Sequence, residues 1–331
     1  MKVLVTGAFG NVGTSAVLEL LQRGHTLRLF DLATKANREA ARRYGCKVEV
    51  VWGDIRRRED IEEAVQGQDA VVHLAFIIPK LSRTKVESER EPELAREVNV
   101  GGTANLIAAL EAMPSPPRLL FASSCHVYGA TQHLPPPRTV SDEPRPKEHY
   151  ARHKLECEEL LRRSRLQWCI LRLAAALPLA LILDPGMFDV PLDNGIEFIH
   201  TRDVGLAIAN ALESQAVWGR ILLIGGGPSC QFYYRQIVER VLDALGVGML
   251  PESAFAREPF GTDWLDTAES QALLRYQTRT LDDYIQDMRH SLGLRRFLLP
   301  VARPFVRYWL LKRSPYLPRH IKRWREAWAL R

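Results

Sequence analysis

Residues 2–13 constrain this chain more than any other stretch. Lys2-Val3-Leu4-Val5-Thr6 is a short apolar run of the kind that forms a buried parallel strand. Gly7 ends it, and Asn11 to Arg23 then has helical spacing, with Val12, Ala16, Leu20 and Leu21 on one side and Gly24 as the stop. Thr6-Gly7-Ala8-Phe9-Gly10-Asn11-Val12-Gly13 therefore joins a strand to a helix N-terminus. That context turns a glycine-rich turn into a candidate phosphate cradle. Gly7 permits the tight turn, Gly10 admits a pyrophosphate to the backbone, and Gly13 lets helix and strand pack closely. The helix N-terminus adds unpaired N–H groups and a positive dipole end.

The following strands extend the pattern. Thr26 to Phe30 ends in Asp31, an acid about 20 residues beyond the glycines, placed to accept from a ribose 2′-OH and to repel a 2′-phosphate. NAD is expected over NADP, with Arg28, Lys35 and Arg38 as nearby cations that soften the preference. A third strand, Lys47 to Val51, leads to Gly53-Asp54-Ile55, and a fourth, Asp69 to Leu74, leads to Ala75. Both ends are expected beside the adenine and the pyrophosphate.

Arg118 to Ala122 has the pattern of a fifth buried strand, with Ser123-Ser124 just beyond the edge where open α/β sheets bind ligands. A helix is predicted from His149 to Arg163, and Tyr150 and Lys154 share one face of it at i and i+4. An ammonium beside a phenol favours the phenolate. Tyr150 is the candidate general acid/base, Lys154 its partner and a holder of cofactor hydroxyls, and Ser124 the group that steadies a substrate oxygen.

This ordered set resembles the extended branch of the short-chain dehydrogenase/reductase superfamily, the epimerases and dehydratases. Gly7 to Gly13 is similar to its glycine motif, Asn99-Val100-Gly101-Gly102-Thr103 to its helix motif, and Ser123 to Gly129 to its serine motif. His200 to Val204 and Leu222 to Pro228 resemble later segments, so the likeness covers roughly residues 1–285. It implies a doubly wound Rossmann sheet and adds Asn99 to the catalytic group. It also implies a homodimer paired through the helices near Asn99 and Tyr150. Two departures stand out. Only Leu173 to Glu197 separates the strand ending at Leu171-Arg172 from Phe198-Ile199-His200, which leaves little chain to clamp a nucleotide diphosphate. Cys125 and His126 stand where the sugar dehydratases carry an acidic pair. Alcohol/carbonyl oxidoreduction is therefore the expected chemistry, with epimerisation second and a dinucleotide-sensing regulator without turnover third.

The expected pocket lining is apolar: Ala75, Phe76, Ile77, Ile78 and Leu173 to Leu177, including Ala174, with Cys125 and His126 beside the catalytic serine. Such a lining suits a small or hydrophobic substrate, and buried core is its competing explanation. The Pro135-Pro136-Pro137 and Pro144/Pro146 stretch is either a rim of this site or a plain connector.

Domain boundaries follow. Residues 1–172 make the dinucleotide-binding domain, with 200–225 returning to it. Residues 173–199 and 226–288 make a substrate lobe, and 289–331 a tail. Cys46, Cys125, Cys157, Cys169 and Cys230 are scattered with no C-x-x-C pair, which argues against a disulfide framework or a structural metal site and for a reducing, cytoplasmic setting. A strand at the very N-terminus leaves no room for a signal peptide, and no apolar run approaches a membrane span of about 20 residues.

Charge is concentrated in the tail. Residues 289–331 carry ten Arg and two Lys against Glu326, a net +11, while the whole chain is +6. Leu294, Phe297, Leu298, Val301, Phe305 and Trp309 fall on one helical side, and Ile321, Trp324 and Trp328 repeat the pattern, although Pro300, Pro304, Pro315 and Pro318 cut the segment short. A basic, Trp-bearing amphipathic segment suits the anionic inner face of a membrane. Packing on the protein body or on a second subunit is the second reading. Nucleic-acid binding is the third, disfavoured by the absence of any nucleic-acid motif.

Overall fold

The computed structural model describes residues 1–80, 86–178, 185–293 and 300–317. Its centre is a parallel sheet of seven strands: β1 (Lys2–Thr6), β2 (Thr26–Asp31), β3 (Val48–Trp52), β4 (Ala70–His73), β5 (Arg118–Ser124), β6 (Trp168–Leu173) and, after a detour, β8 (Arg220–Ile224). The spatial order is β3-β2-β1-β4-β5-β6-β8. The chain winds outward from β1 in one direction, then returns to the other side of β1 with β4. The C-terminal ends of β1 and β4 thus flank the point where the order reverses, which is where a doubly wound sheet opens a crevice.

The inner strands are mostly apolar because both faces are covered, while the edge strand β3 carries the exposed Glu49. Val3, Val5, Leu27, Leu29, Val72, Leu120 and Leu171 belong to a core under the helices Asn11–Gln22 and Thr201–Glu213. Leu4, Phe30, Val71, Leu119, Phe121 and Ile170 belong to another under Gly102–Glu111 and His149–Arg163. The helix His149–Arg163 has the predicted bounds. β5 runs on through Ser123 and Ser124, so these serines are the last residues of the strand rather than its sequel. β3 is displaced by one residue from the expected span.

A second lobe forms its own core around a short antiparallel pair, β7 (Gly195–Glu197) and β9 (Gln231–Tyr233). Phe188, Ile196, Phe198, Val238, Leu242, Phe255 and Met288 fill it. Two boundaries differ from the sequence expectation. Leu265, Leu274 and Tyr276, expected in this lobe, pack instead on the core of the sheet, where Ser270 donates to the Leu223 carbonyl at 2.6 Å. Residues 303–317 do not stand apart as a tail. Leu310, Leu311 and Leu317 are buried in the lobe's core. Arg303 and Arg307 donate to the carbonyls of Val247, Gly248 and Met249, and Ser314 to that of Ala254 at 2.6 Å. Those loop carbonyls lack partners of their own secondary structure, and the arginines supply them. Residues 294–299 and 318–331, including Phe297, Trp324 and Trp328, lie outside the described residues.

Candidate active site

Three glycines shape one end of the crevice. Gly7 has φ +65°, and a Cβ on it would fall 2.6 Å from the Ala75 backbone nitrogen. A Cβ on Gly13 would fall 2.3 Å from the Gly7 carbonyl oxygen. No side chain fits either place, so the helix Asn11–Gln22 starts close against β1 and β4. Gly10 is its N-cap, and among the described residues no side chain caps those first N–H groups. The crevice opens above them as a cavity of about 460 Å³ lined by Gly7, Gly10, Asn11, Val12 and Gly13.

Asp31, Asp54, Ile55, Leu74, Ala75, Phe76, Ile77 and Ala174 also line it, as expected from the strand ends, and Ser124, His126 and Tyr150 line its other end. The cavity thus runs from the end of β2 to the end of β5. Asn11 closes its floor by donating to the Ala176 carbonyl at 3.1 Å. Asp31 accepts from the amides of Phe9 (3.2 Å) and Leu32 (2.8 Å) and from the Asn37 side chain (3.0 Å), which fixes its carboxylate at the cavity wall.

Four expected residues stand behind the wall. The Phe9 ring is fully buried and stacks on Trp52 at 5.6 Å, so only its backbone belongs to the glycine turn. Cys125 is buried beneath the serines, with its thiol pushed up to about 12 by that burial. Asn99 is fully buried, accepts from the Ile77 amide at 2.6 Å and donates to the Ile77 carbonyl at 3.0 Å. It holds a stretch of wall in place rather than facing the cavity. Lys154 is also buried, donates to the Ala122 carbonyl at 2.5 Å and lies 3.5 Å from the centre of the Phe76 ring.

That last position corrects the electrostatic expectation. Burial raises the Tyr150 pKa above the ordinary phenol value and outweighs the opposing effect of the neighbouring Ser124 hydroxyl. The Lys154 ammonium lies 5.7 Å from the Tyr150 ring centre, and burial lowers its own pKa to about 7. In this arrangement Lys154 does not draw Tyr150 toward the phenolate. Phe76, packed edge-on against Tyr150 at 5.7 Å, roofs the lysine.

Several supports were not legible in the sequence. His73 bridges Thr6 (2.7 Å) and Thr103 (3.0 Å), and Thr103 donates onward to the Asn99 carbonyl at 2.5 Å. Thr6 Oγ1 accepts from the amides of Leu74 and Ala75, so its proton points to His73 Nδ1 and the imidazole proton sits on Nε2. Burial, and then the Lys154 charge, lower the His73 pKa to about 3. Behind Ser124, Ser123 bonds Glu158 at 2.5 Å, and Glu158 holds Arg172 in a buried fork at 3.0 and 2.6 Å. Glu89 caps the Tyr150 helix by accepting from the amides of His149 (3.1 Å) and Tyr150 (2.9 Å). Arg56 also lines the cavity and holds the Asp54 carboxyl below its usual range through their hydrogen bonds, whereas Arg28 is taken by Glu49. The proline-rich stretch is a connector. Arg138 pairs with Asp263 at 3.2 Å and exchanges backbone bonds with Trp264 and Asp266, away from the cavity. Among the described residues no His, Cys, Asp and Glu cluster suits a metal ion.

The model of the NAD dependent epimerase/dehydratase family matches residues 3–177, more than half of the chain. The chain belongs to that family. It is 32% identical over 144 residues to a UDP-glucose 4-epimerase 3 of Oryza sativa subsp. japonica, covering 40% of this chain and 37% of that protein. It is 39% identical over 108 residues to a 3-beta-hydroxysteroid dehydrogenase of Mycolicibacterium neoaurum, covering 33% and 28%. The match thus spans less than half the length of either relative. Among solved structures, a short-chain dehydrogenase/reductase superfamily protein from Agrobacterium tumefaciens with bound NAD superimposes with TM-score 0.72 at 20% identity, over 89% of this chain and 98% of that one. A Thermus thermophilus UDP-glucose 4-epimerase in complex with NAD gives 0.70 at 23% identity, over 88% and 99%. These likenesses establish the family's Rossmann fold for this chain.

Proposed function

We propose that this chain is an NAD-dependent oxidoreductase that interconverts an alcohol and a carbonyl on a small or hydrophobic substrate. One observation carries the reading: Ser124 and Tyr150 stand together at one end of the same cavity that Gly7, Gly10 and Gly13 open at the other. The glycine turn and helix N-terminus fit a pyrophosphate, and the fixed Asp31 carboxylate fits a ribose diol better than a 2′-phosphate. NAD supplies the hydride acceptor. Tyr150 takes the alcohol proton, and Ser124 holds the substrate oxygen in line. Burial raises the Tyr150 pKa, so the phenol carries its proton in the resting site. Lys154, covered by the Phe76 ring, is the residue that would hold the cofactor ribose hydroxyls. The lining from Phe76 to Pro79 and from Leu173 to Ala176 is mostly apolar, in keeping with a hydrophobic substrate.

Epimerisation is the second reading, favoured by the epimerase among the relatives. The two separate on net cofactor change. Incubation with NAD and a 3β-hydroxysteroid is expected to yield NADH, and Tyr150→Phe to lower that rate by about 10²–10⁴-fold. UDP-glucose is expected to give no UDP-galactose. Interconversion of those two sugars with no NADH released would overturn oxidoreduction.

We further propose a homodimer through the helices bearing Asn99 and Tyr150, and contact with an anionic membrane through the outer face of residues 301–313. In support, Val301 is 80% and Trp309 38% exposed, the Arg313 guanidinium lies 3.7 Å from the centre of the Trp309 ring, and Lys312 adjoins them. No helix among the described residues is long and apolar enough to cross a membrane.

A further inference from the structure

Side chains alternate along β5, so its last two serines face opposite sides of the sheet. Leu120 and Ala122 belong to the core on one side, and Ser124 follows them before lining the cavity with Tyr150. Leu119 and Phe121 pack in the core under the helix His149–Arg163, and Ser123 follows them toward that helix. There its hydroxyl donates to the Glu158 carboxylate, and both residues are buried.

Glu158 shares a stripe of the helix with Tyr150 and Lys154, at i+8 and i+4 from the tyrosine. Lys154 donates to the Ala122 carbonyl, so two successive side chains of this stripe fasten the helix to β5. Arg172 is the neighbour of Ser123 across β5 and β6. It donates to one Glu158 oxygen at 3.0 Å and to the other at 2.6 Å, and also to the Tyr128 hydroxyl at 2.8 Å. The ion pair is therefore complete without Ser123, and the serine bond neutralises no charge. What it adds is a location. It ties the helix to the strand residue that immediately precedes Ser124. Glu89 holds the N-terminal end of the helix from a third segment, about two turns or 12 Å from Glu158.

We propose that Ser123 and Glu158 are positioning residues for the reaction, their bond fixing where the helix stands along β5 and hence where Tyr150 stands against Ser124. This rests on the oxidoreductase reading, in which Tyr150 moves the proton and Ser124 holds the substrate oxygen. Those two groups come from different elements, so their spacing is only as exact as the seating of helix on strand. A misplacement of about 1 Å at reacting groups costs on the order of 10²-fold in rate, so a bond remote from both substrate and cofactor governs turnover without governing affinity.

The test uses the full-length protein. Ser123→Ala removes the bond and leaves the Glu158–Arg172 pair intact, so no buried charge is stranded. Ser123→Thr restores a hydroxyl. NADH formation from NAD and a 3β-hydroxysteroid gives kcat, and calorimetry gives NAD affinity. Ser123→Ala is expected to lower kcat by about 10–10²-fold with NAD affinity and unfolding midpoint nearly unchanged, and Ser123→Thr to recover most of the loss. A wild-type kcat in Ser123→Ala, a loss that threonine does not recover, or an equal loss of NAD affinity or of the folded state overturns the positioning role. If the wild type forms no NADH, the oxidoreductase reading fails separately, and Tyr150 reports its seating without turnover. Its hydroxyl is followed across pH by NMR of ζ-carbon-labelled tyrosine and assigned by its loss in Tyr150→Phe. Burial holds its titration above the ordinary phenol value. In Ser123→Ala the loosened hydroxyl meets water, and its titration is expected to fall toward about 10, which a loss of global stability alone would not cause. An unchanged titration overturns the proposal.

Discussion

Lys154 and Phe76 illustrate what a single side chain adds to a motif. An ammonium in an apolar roof loses hydration, and burial, opposed by the Cys157 and Glu158 charges, brings Lys154 to about 7. The face of the Phe76 ring returns part of that loss. Replacing Phe76 by Ala opens the ammonium to water. The Lys154 pKa is then expected to rise toward its ordinary value of about 10.4, followed by NMR of the lysine side chains across pH. A pKa that stays near 7 in Phe76→Ala would mean that the roof lies elsewhere. The i, i+4 spacing of Tyr150 and Lys154 was legible in the sequence because it is fixed by helix geometry. Where the ammonium points was not, because that depends on Phe76 and Ala122, which reach it from β4's edge and β5. The bond between Ser123 and Glu158 was illegible for the same reason. They are 35 positions apart and meet only through the fold.

At the scale of elements, the sheet order converts short-range signals into one crevice. The strands, the glycine turn and the helix from His149 to Arg163 were readable because apolar runs and caps are local. The pairing of β1 with β4 rests on Gly7 and Gly13 and on the buried Thr6–His73–Thr103 chain, whose members are far apart in sequence. His73 joins this chain neutral, and its pKa near 3 makes the joint sensitive to acid. A histidine whose folded pKa is depressed contributes stability that is fully present above its unfolded value of about 6.5 and is lost as pH falls below it, because the unfolded chain takes up the proton first. Between pH 7.5 and 5.5 the loss from this one group is about 1.4 kcal/mol. Urea unfolding at both pH values should show the stability difference between wild type and His73→Gln shrinking by that amount in acid. A difference independent of pH would contradict a neutral, buried His73.

At the scale of the whole molecule, charge and packing divide the C-terminal segment between two duties. Amphipathic spacing exposed an apolar stripe in the sequence but not which surface it would meet, since lobe and membrane make the same demand of it. In the structure Leu310, Leu311 and Leu317 serve the lobe, while Val301 and Trp309 remain on the outer side. Removing everything after Met288 would therefore strip the lobe's core and expose the Val247–Met249 carbonyls, so truncation is expected to unfold the lobe. The informative change is Val301→Ser with Trp309→Ser, which spares the packed face. Full-length protein should sediment with anionic liposomes at low salt, less so as salt shortens the electrostatic reach to about 8 Å, and not with neutral ones. Each engaged basic residue contributes about 1 kcal/mol, enough in sum for reversible attachment. The double variant should remain largely in solution. Equal sedimentation of both proteins, or none of either, removes the membrane from the account.

The glycine turn, Asp31 and the Tyr150 end of the cavity have a common purpose only if NAD joins them. Calorimetric titration of the full-length protein with NAD(H) and NADP(H) tests this most directly. Saturable binding of one NAD(H) per chain, tighter than NADP(H) and retained in Tyr150→Phe, is the predicted result. Tighter binding of NADP(H), or no saturable binding of either dinucleotide, would contradict it.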